Sequence, residues 1–132
     1  MQYEPTLTRA ELIDLAIHQY FANVDAKNKE AVMACFHDEA LFCVQTAFTR
    51  HAGKAEIGRM FDDFFNGYAK IVHQNFTCTV DEKNGRISAS FEAVLTDDDG
   101  TITRLHNTNF WRVRDGKFQD VYVYMSGANP LV

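Results

Sequence analysis

The sequence has 132 residues, of which 46% are hydrophobic and 13% aromatic, and its formal net charge is −5. A chain of this length is expected to form one domain, 1–132, with enough apolar side chains for a substantial core. The acidic balance and the scattered lysines and arginines argue against binding to nucleic acid or to an anionic membrane, because both need a positively charged surface.

The first residues and the cysteines bear on the compartment. The chain begins with neither the basic region nor the apolar run of a signal peptide, and it contains no stretch of 18 apolar residues. Its three cysteines are odd in number and show no CxxC spacing, so we expect buried, free thiols. They are Cys35, Cys43 and Cys78. These features together predict a cytoplasmic protein.

Two helices are predicted before any strand. Thr8 and Glu11 have the spacing of a capping box, which marks the start of a first helix that runs to Val24. The apolar residues that recur there at helical spacing are Ile13, Ile17, Tyr20 and Val24, and the residues that widen this face are Leu12, Leu15, Ala16 and Phe21. Asn28 can cap a short second helix that ends near Phe36.

The rest of the chain is mainly β-structure. A first strand is predicted from Ala40 to about Arg50, and a third helix begins at Lys54 and weakens at Asn66 and Gly67. Four further strands, 71–81, 86–96, 101–114 and 117–126, are separated by the turn sequences DEKNG, DDDG and RDG. Consecutive strands joined by tight turns predict an antiparallel meander.

This order of elements resembles that of the nuclear transport factor 2-like superfamily. The stretches YFANVDAKNKEAVMACFHDEALF (20–42), GKAEI (53–57) and RDGKF (114–118) are similar to its ketosteroid isomerase-like and SnoaL-like, polyketide cyclase-like branches. The resemblance implies an α+β fold, a cystatin-like α+β barrel, in which a cone-shaped antiparallel or mixed sheet wraps around a long N-terminal helix with two further helices. It indicates fold more strongly than activity, because the superfamily includes isomerases, dehydratases, cyclases, epoxide hydrolases and non-catalytic proteins.

Only one of the three catalytic groups of the ketosteroid isomerases has a counterpart. Tyr20 falls where that family has its oxyanion-hole tyrosine. The general-base aspartate corresponds to Val44, and the protonated aspartic acid falls near Thr108. Because steroid isomerisation needs a carboxylate that shuttles the proton, we do not expect that activity. Val44 is expected to line the ligand site.

The scytalone dehydratase pattern carries over in part. Asp25 corresponds to the aspartate at the end of that family's first helix, His73 to its histidine after the third helix, and Asn107 to its asparagine before the hairpin. Its second catalytic histidine has no counterpart, although His106 is close in sequence. A histidine that faces an apolar cavity beside Asp25 would be held in one tautomer and could act as a general acid or base. The candidate catalytic residues are Tyr20, Asp25 and His73.

The orientation of two strands is left open. Strand 101–114 presents one of two alternating sets of side chains to the cavity. The odd-numbered set is Asn107, Asn109 and Trp111, and the even-numbered set is His106, Thr108 and Phe110. We favour the odd-numbered set, because an aromatic wall with a few amides is typical of small-molecule sites. Alternation alone would place His73 on the outer face of its strand, whereas the resemblance places it at the cavity. The candidate ligand-binding residues are Val44, His106, Asn107, Asn109, Trp111 and Val123.

The last strand predicts a homodimer. Tyr122 and Tyr124 alternate there with Val121, Val123 and Met125, so neither face is plainly suited to solvent. We expect the outer face of the sheet to pack against a second copy. The C-terminal segment, 127–132, is expected either to close the cavity or to reach that partner.

No cofactor or metal is expected. The five histidines lack the HxxxH or HxH spacing of a metal site, and no glycine-rich phosphate loop precedes a helix. The mixed polar strand 101–114, Tyr20 and the possible Asp25–His73 pair favour the hypothesis of a cofactor-independent dehydratase, isomerase or cyclase that acts on a small apolar organic compound. The alternative is a non-catalytic ligand-binding or dimerisation module. A pocket of several hundred cubic ångströms lined by three or more titratable or amide groups would favour the enzyme, whereas a cone filled with aromatic side chains would argue against both catalysis and ligand binding there.

Overall fold

A computed structural model describes residues 5–132, which form three helices and six strands. Helix α1 is continuous over residues 9–25 and has three parts: α-helical Arg9–Ile13, π-helical Asp14–Phe21 and α-helical Ala22–Asp25. Helix α2 spans Lys29–Met33, and α3 spans Gly53–Gly67. The strands are β1 Phe36–Val44, β2 Thr49–Ala52, β3 Lys70–Asp81, β4 Arg86–Thr96, β5 Ile102–Arg114 and β6 Lys117–Tyr124.

The six strands form one mixed sheet in the order β2-β1-β6-β5-β4-β3. Strands β3 to β6 are the antiparallel meander that the turn sequences predict. Strand β1 pairs in parallel with β6 and antiparallel with β2. The predicted α+β fold, a curved sheet with three helices, is confirmed.

The first predicted strand is in fact two strands. Strand β1 begins at Phe36, where the second helix was expected to end, and a 3₁₀ turn at Gln45–Ala47 separates it from β2. Phe48 follows that turn with a φ of 52°. The backbone N–H of Phe118 donates a hydrogen bond to Cys35 O, so the pairing with β6 begins just after α2. This pairing is between distant parts of the chain and leaves no local signal.

The inward face of α1 lies within the predicted apolar face but is shifted toward the residues predicted to widen it, because Ile13 and Ile17 are only partly buried. Its fully buried residues are Leu12, Leu15, Ala16, Tyr20, Phe21 and Val24. The π-helical stretch explains the difference: its hydrogen bonds join residues five apart, as when Ala22 N–H donates to Ile17 O, so each turn holds more than 3.6 residues. The wider turn brings two neighbouring aromatic side chains to the face of the helix that packs on the sheet.

Aromatic side chains fill much of the space between the helices and the sheet. Tyr20 contacts the rings of Phe118 and Trp111 with centroids 5.4 and 6.1 Å away, and Trp111 stacks on Phe118 at 5.8 Å. Phe36 and Phe61 close the same cluster. This part of the interior is therefore solid protein rather than a cavity.

The outer face of the sheet is partly apolar. Phe110 on β5 and Tyr124 on β6 are 48% and 44% exposed, and their rings contact each other edge to face. Among residues 5–132, no helix has both the length and the apolar character needed to cross a membrane.

Candidate functional site

A small cavity lies between α1, the sheet and the end of the chain. Its volume is about 30 Å³. That is room for about one water molecule, whereas sites for small organic ligands measure roughly 300–1,000 Å³. Its polar lining residues are Tyr20, His73, Asn107 and Asn109. The cavity therefore combines chemically useful side chains with too little space for an organic compound.

His73 and Asp25 form a hydrogen-bonded pair in the wall of this cavity. The ring Nδ1 of His73 lies 2.6 Å from Asp25 Oδ1, and the backbone N–H of His73 donates to Asp25 Oδ2 at 2.8 Å. The His73 side chain is 8% exposed and that of Asp25 is 26% exposed. Phe21 and Phe91 pack on the imidazole with ring centroids 4.5 and 5.5 Å away. The pair is thus fixed by two hydrogen bonds and two aromatic contacts.

This arrangement selects the chemistry of the imidazole. A neutral ring whose Nδ1–H donates to the carboxylate keeps Nε2 as its acceptor. Nε2 of His73 is then the atom that can take a proton from a bound molecule, and Asp25 would stabilise the resulting imidazolium. The geometry suits a general base or acid.

A β-bulge turns His73 inward. Strand β3 pairs with β4 as far as Gln74 opposite Glu92 and resumes with Thr77 opposite Ser90, so β3 holds one extra residue. Asn75 lies in this bulge with a φ of 60°. The bulge reverses the alternation of the strand, so His73 faces the interior before it and Phe76, Cys78 and Val80 are the partly buried residues after it. The outer-face placement of His73 that alternation predicts is therefore wrong, because the alternation of residues 76–80 does not extend back across the bulge.

Strand β5 presents its odd-numbered residues to the interior. Asn107 and Asn109 are 6% and 3% exposed, and Trp111 is 1% exposed. The Oδ1 atom of Asn107 accepts a hydrogen bond from the backbone N–H of Ser126 at 3.4 Å. Within the described part of the chain, Asn109 Oδ1 finds no hydrogen-bond partner. Leaving such a group unpaired costs about 1–3 kcal/mol, which a bound donor would offset.

Tyr20 contributes a hydroxyl group that stays neutral. Burial raises the pKa of Tyr20 above its ordinary value, and the nearby Cys35 and Asp25 raise it further. The hydroxyl therefore remains protonated at any physiological pH and can donate a hydrogen bond to an oxygen atom in the cavity.

The structure brings together most of the residues that the sequence singled out. Tyr20, His73, Asn107, Asn109 and Val123 line the cavity, and Asp25 is attached to it through His73.

Three of the proposed ligand-binding residues lie elsewhere. Val44 and Trp111 are buried in the core and are not part of the cavity lining. His106 is exposed on the outer face of β5, because its side chain points opposite to those of Asn107 and Leu105 in the alternating strand. His106 cannot replace the missing dehydratase histidine from that position.

Other lining residues were not proposed from the sequence. Phe91 and Ala93 on β4 alternate with more exposed residues, so the pattern of that strand contained a signal for them. Pro130 and Leu131 also line the cavity, which agrees with the first of the two alternatives given for segment 127–132, although no periodicity marks these two residues. Among residues 5–132, no group of three or more His, Cys, Asp or Glu side chains is placed to hold a metal ion.

Comparisons with known structures identify the same fold in many proteins. PrhC from Penicillium brasilianum NBRC 6234 is 18% identical, with a TM-score of 0.78 over 91% of this chain and 83% of that one. A protein of Shewanella denitrificans OS-217, named as a SnoaL-like polyketide cyclase, is 10% identical, with a TM-score of 0.79 over 90% of this chain and 92% of that one. A protein of Xanthomonas campestris pv. campestris, named as a polyketide cyclase, is 19% identical, with a TM-score of 0.74 over 88% and 90% of the two chains.

At these identities the similarity establishes the fold alone. A search of curated proteins finds no match. The family model of the SnoaL-like domain matches residues 17–121, which include α1 from Ile17 onward and nearly all of the sheet. The chain therefore belongs to the SnoaL-like domain family of the nuclear transport factor 2-like superfamily.

Proposed function

We propose that the protein is a cofactor-independent enzyme that carries out acid/base chemistry on a small, largely apolar organic compound, as a dehydratase, isomerase or cyclase. The observation that carries this proposal is the His73–Asp25 pair in the wall of an otherwise mostly apolar cavity. A structural role alone would not require an imidazole nitrogen beside the cavity.

His73 is the general base in this proposal. Its Nε2 removes a proton from the substrate, the positive charge is stabilised by Asp25, and the proton is later returned to a substrate atom or to a leaving hydroxyl group. Tyr20 donates a hydrogen bond to the substrate oxygen on which negative charge develops. Asn109 Oδ1 accepts a hydrogen bond from a substrate hydroxyl group, which also satisfies this buried acceptor.

The names of structural relatives support the reaction class. Two of the three relatives described above are named as polyketide cyclases, which suggests carbonyl compounds as substrates. The position that corresponds to the isomerase general base is Val44 in this chain, so no carboxylate stands at that position and His73 takes the role of the base in the proposal. Compartment is part of the same proposal: three free thiols suit the reducing cytoplasm.

The test measures proton abstraction directly, since the substrate is unidentified. A panel of small cyclic ketones and β-hydroxyketones is incubated with the protein in D₂O, and deuterium incorporation next to the carbonyl is followed by NMR. We expect His73→Ala to lower the exchange rate for an active compound by about 100-fold or more, the size of effect typical of a lost general base.

His106→Ala is the matched control, because this histidine is exposed on the outer face of β5. It should exchange at the wild-type rate. Equal exchange by His73→Ala and the wild type would contradict the proposed role of His73. A panel compound that binds but never exchanges would favour the alternative of a non-catalytic ligand-binding module.

We also propose that the outer face of the sheet forms a homodimer. Phe110 stands exposed at the rim of a groove of about 240 Å³ that Tyr122 also lines. The same surface therefore offers both an apolar projection and a recess, which is what a twofold, self-complementary interface requires.

A further inference from the structure

The segment 126–132 covers part of the candidate site. It follows β6 without forming helix or strand, and Pro130 and Leu131 contribute to the cavity lining. Leu131 is 9% exposed, whereas Ser126, Gly127 and Ala128 are exposed and Val132 is 63% exposed. One buried leucine therefore holds the segment in the interior, with mostly exposed chain on either side.

Polar side chains of β2 and α3 hold this segment in place. His51 Nε2 lies 3.0 Å from the carbonyl oxygen of Leu131, and both terminal nitrogens of Arg59 lie 3.3 Å from the carbonyl oxygen of Val132. Asn129 Nδ2 donates to Thr49 Oγ1 at 3.3 Å. These contacts involve side chains rather than a sheet ladder, so the segment can leave without breaking the pairing of any strand.

Arg59 and His51 also have partners outside the segment, so their side chains stay in position when the segment is displaced. Arg59 is bound to Asp63 at 2.7 Å on the same helix. His51 is 4% exposed, and its Nδ1 lies 3.4 Å from Arg59 Nη2. With Nδ1 accepting from Arg59, Nε2 carries the proton that is donated to Leu131 O. Arg59 and His51 thus form a preformed latch on the body of the protein.

We propose that segment 126–132 is a displaceable plug, latched by His51 and Arg59, and that Leu131 occupies the place of an apolar group of the ligand. The cavity of about 30 Å³ is far below the roughly 300–1,000 Å³ of organic ligand sites. Withdrawal of Leu131 and Pro130 opens the cavity on the side that they line. The ligand class, a compound with an aliphatic or aromatic group next to its reacting oxygen, rests on the proposed function. The proposal that the segment is a displaceable plug is independent of that function.

The test measures binding of an apolar fluorescent probe, 1-anilinonaphthalene-8-sulfonate, by the intact protein. We expect Arg59→Gln to lower the probe's Kd at least tenfold. Without the bonds from Arg59 the plug is displaced in a larger fraction of molecules, and only those molecules can bind the probe. Asp63→Asn is the matched control: it removes the other partner of Arg59 but leaves the bonds to Val132, and its Kd should equal that of the wild type. Arg59 and Asp63 are both exposed, so neither change threatens the fold.

Hydrogen exchange at the backbone amide of Leu131, which donates to Asn129 Oδ1, reports on the plug itself. Faster exchange in Arg59→Gln together with tighter probe binding supports the proposal. Unchanged exchange, or faster exchange with an unchanged Kd, overturns it. The probe Kd and the exchange of the Leu131 amide are also measured in the His73→Ala background. Plug opening does not need an active base, whereas deuterium transfer to ketones does, so these measurements test the plug separately from the proposed function.

Discussion

Asp25 has two partners on one residue of β3, and its two oxygen atoms are not equivalent. One accepts the ring Nδ1–H of His73 and the other accepts the backbone N–H of the same residue. The hydrogen bond from the backbone N–H holds the carboxylate in place at the end of α1 and prevents its rotation. The second hydrogen bond, to the ring, can therefore set the orientation and the tautomer of the imidazole. A single side chain therefore couples the end of the helix to the proposed base.

This coupling predicts a tautomer change in Asp25→Asn. The asparagine oxygen keeps the bond from the backbone N–H of His73, which leaves the NH₂ group to face Nδ1. Nδ1 must then accept, and the ring proton moves to Nε2. We expect ¹⁵N NMR of the histidine ring to show protonated Nδ1 in the wild type and protonated Nε2 in the variant.

Deuterium exchange into a ketone should fall with that change of tautomer, by about 10²-fold or more, because Nε2 can no longer accept a proton. The spectrum of His106 serves as the internal reference, since its side chain lies on the outer face of the sheet. If the ring of His73 keeps its Nδ1 proton in Asp25→Asn, Asp25 does not determine the tautomer.

At the scale of elements, two irregularities orient the site. The π-helical stretch of α1 turns Tyr20 and Phe21 to the sheet side, and the bulge in β3 turns His73 to the same space. Each departs from the ideal geometry of its element, and such departures are frequent near functional sites. Together they place the Tyr20 hydroxyl, the Phe21 ring and the His73 imidazole at the cavity.

The bulge gives a prediction about stability. Asn75 has a φ of 60°, a conformation that glycine adopts freely, that asparagine tolerates and that β-branched residues avoid. We expect Asn75→Gly to unfold near the wild-type denaturant concentration. Asn75→Val should lose about 1–2 kcal/mol, the approximate penalty for a Cβ in the left-handed region. Denaturation in urea measures both, and Thr79→Val, at an exposed position of regular β3, is the control for valine itself.

Equal stability of Asn75→Gly and Asn75→Val would show that the bulge is not held by this residue. The ring signals of His73 offer a second readout of the same variants. A bulge that shifts to release the strain in Asn75→Val would move His73 away from Asp25, and its Nδ1 proton signal would change, whereas Thr79→Val should leave that signal unaltered.

For the whole molecule, the sequence predicts the order of elements well because the signals for them are local. The capping box at Thr8 and Glu11 is formed as expected. Strands β4 and β6 begin at the predicted residues, Arg86 and Lys117, directly after their turn sequences. Hydrogen bonds and backbone preferences over three or four residues are sufficient for such features.

Features that depend on distant contacts could not be predicted in the same way. The parallel pairing of β1 with β6 and the seating of Leu131 in the cavity join residues that are far apart in the sequence. The inward position of His73 could be stated from the family resemblance but not explained, because alternation fails at a bulge that only the pairing with β4 reveals. The volume of the cavity depends on how the aromatic rings pack, which no linear pattern contains.

The proposed homodimer gives a prediction at the scale of the assembly. In a twofold interface each surface patch meets its own copy or a neighbouring part of it, so one substitution introduces two charges into the interface. Phe110 contacts Tyr124 at 5.8 Å and is 48% exposed in the single chain. We expect Phe110→Glu to convert a dimeric protein to a monomer, because two desolvated carboxylates would replace two apolar rings.

Analytical ultracentrifugation over a range of protein concentrations measures this change. Phe48→Glu is the matched control, since Phe48 is 97% exposed but lies at the turn between β1 and β2 rather than on β5. It should sediment like the wild type. A monomeric wild type would exclude the dimer at once, and dissociation by Phe48→Glu but not by Phe110→Glu would move the interface to the edge of the sheet near β2. Thermal unfolding of Phe110→Glu should then depend less on protein concentration than that of the wild type, because folding and association are linked only where the dimer forms.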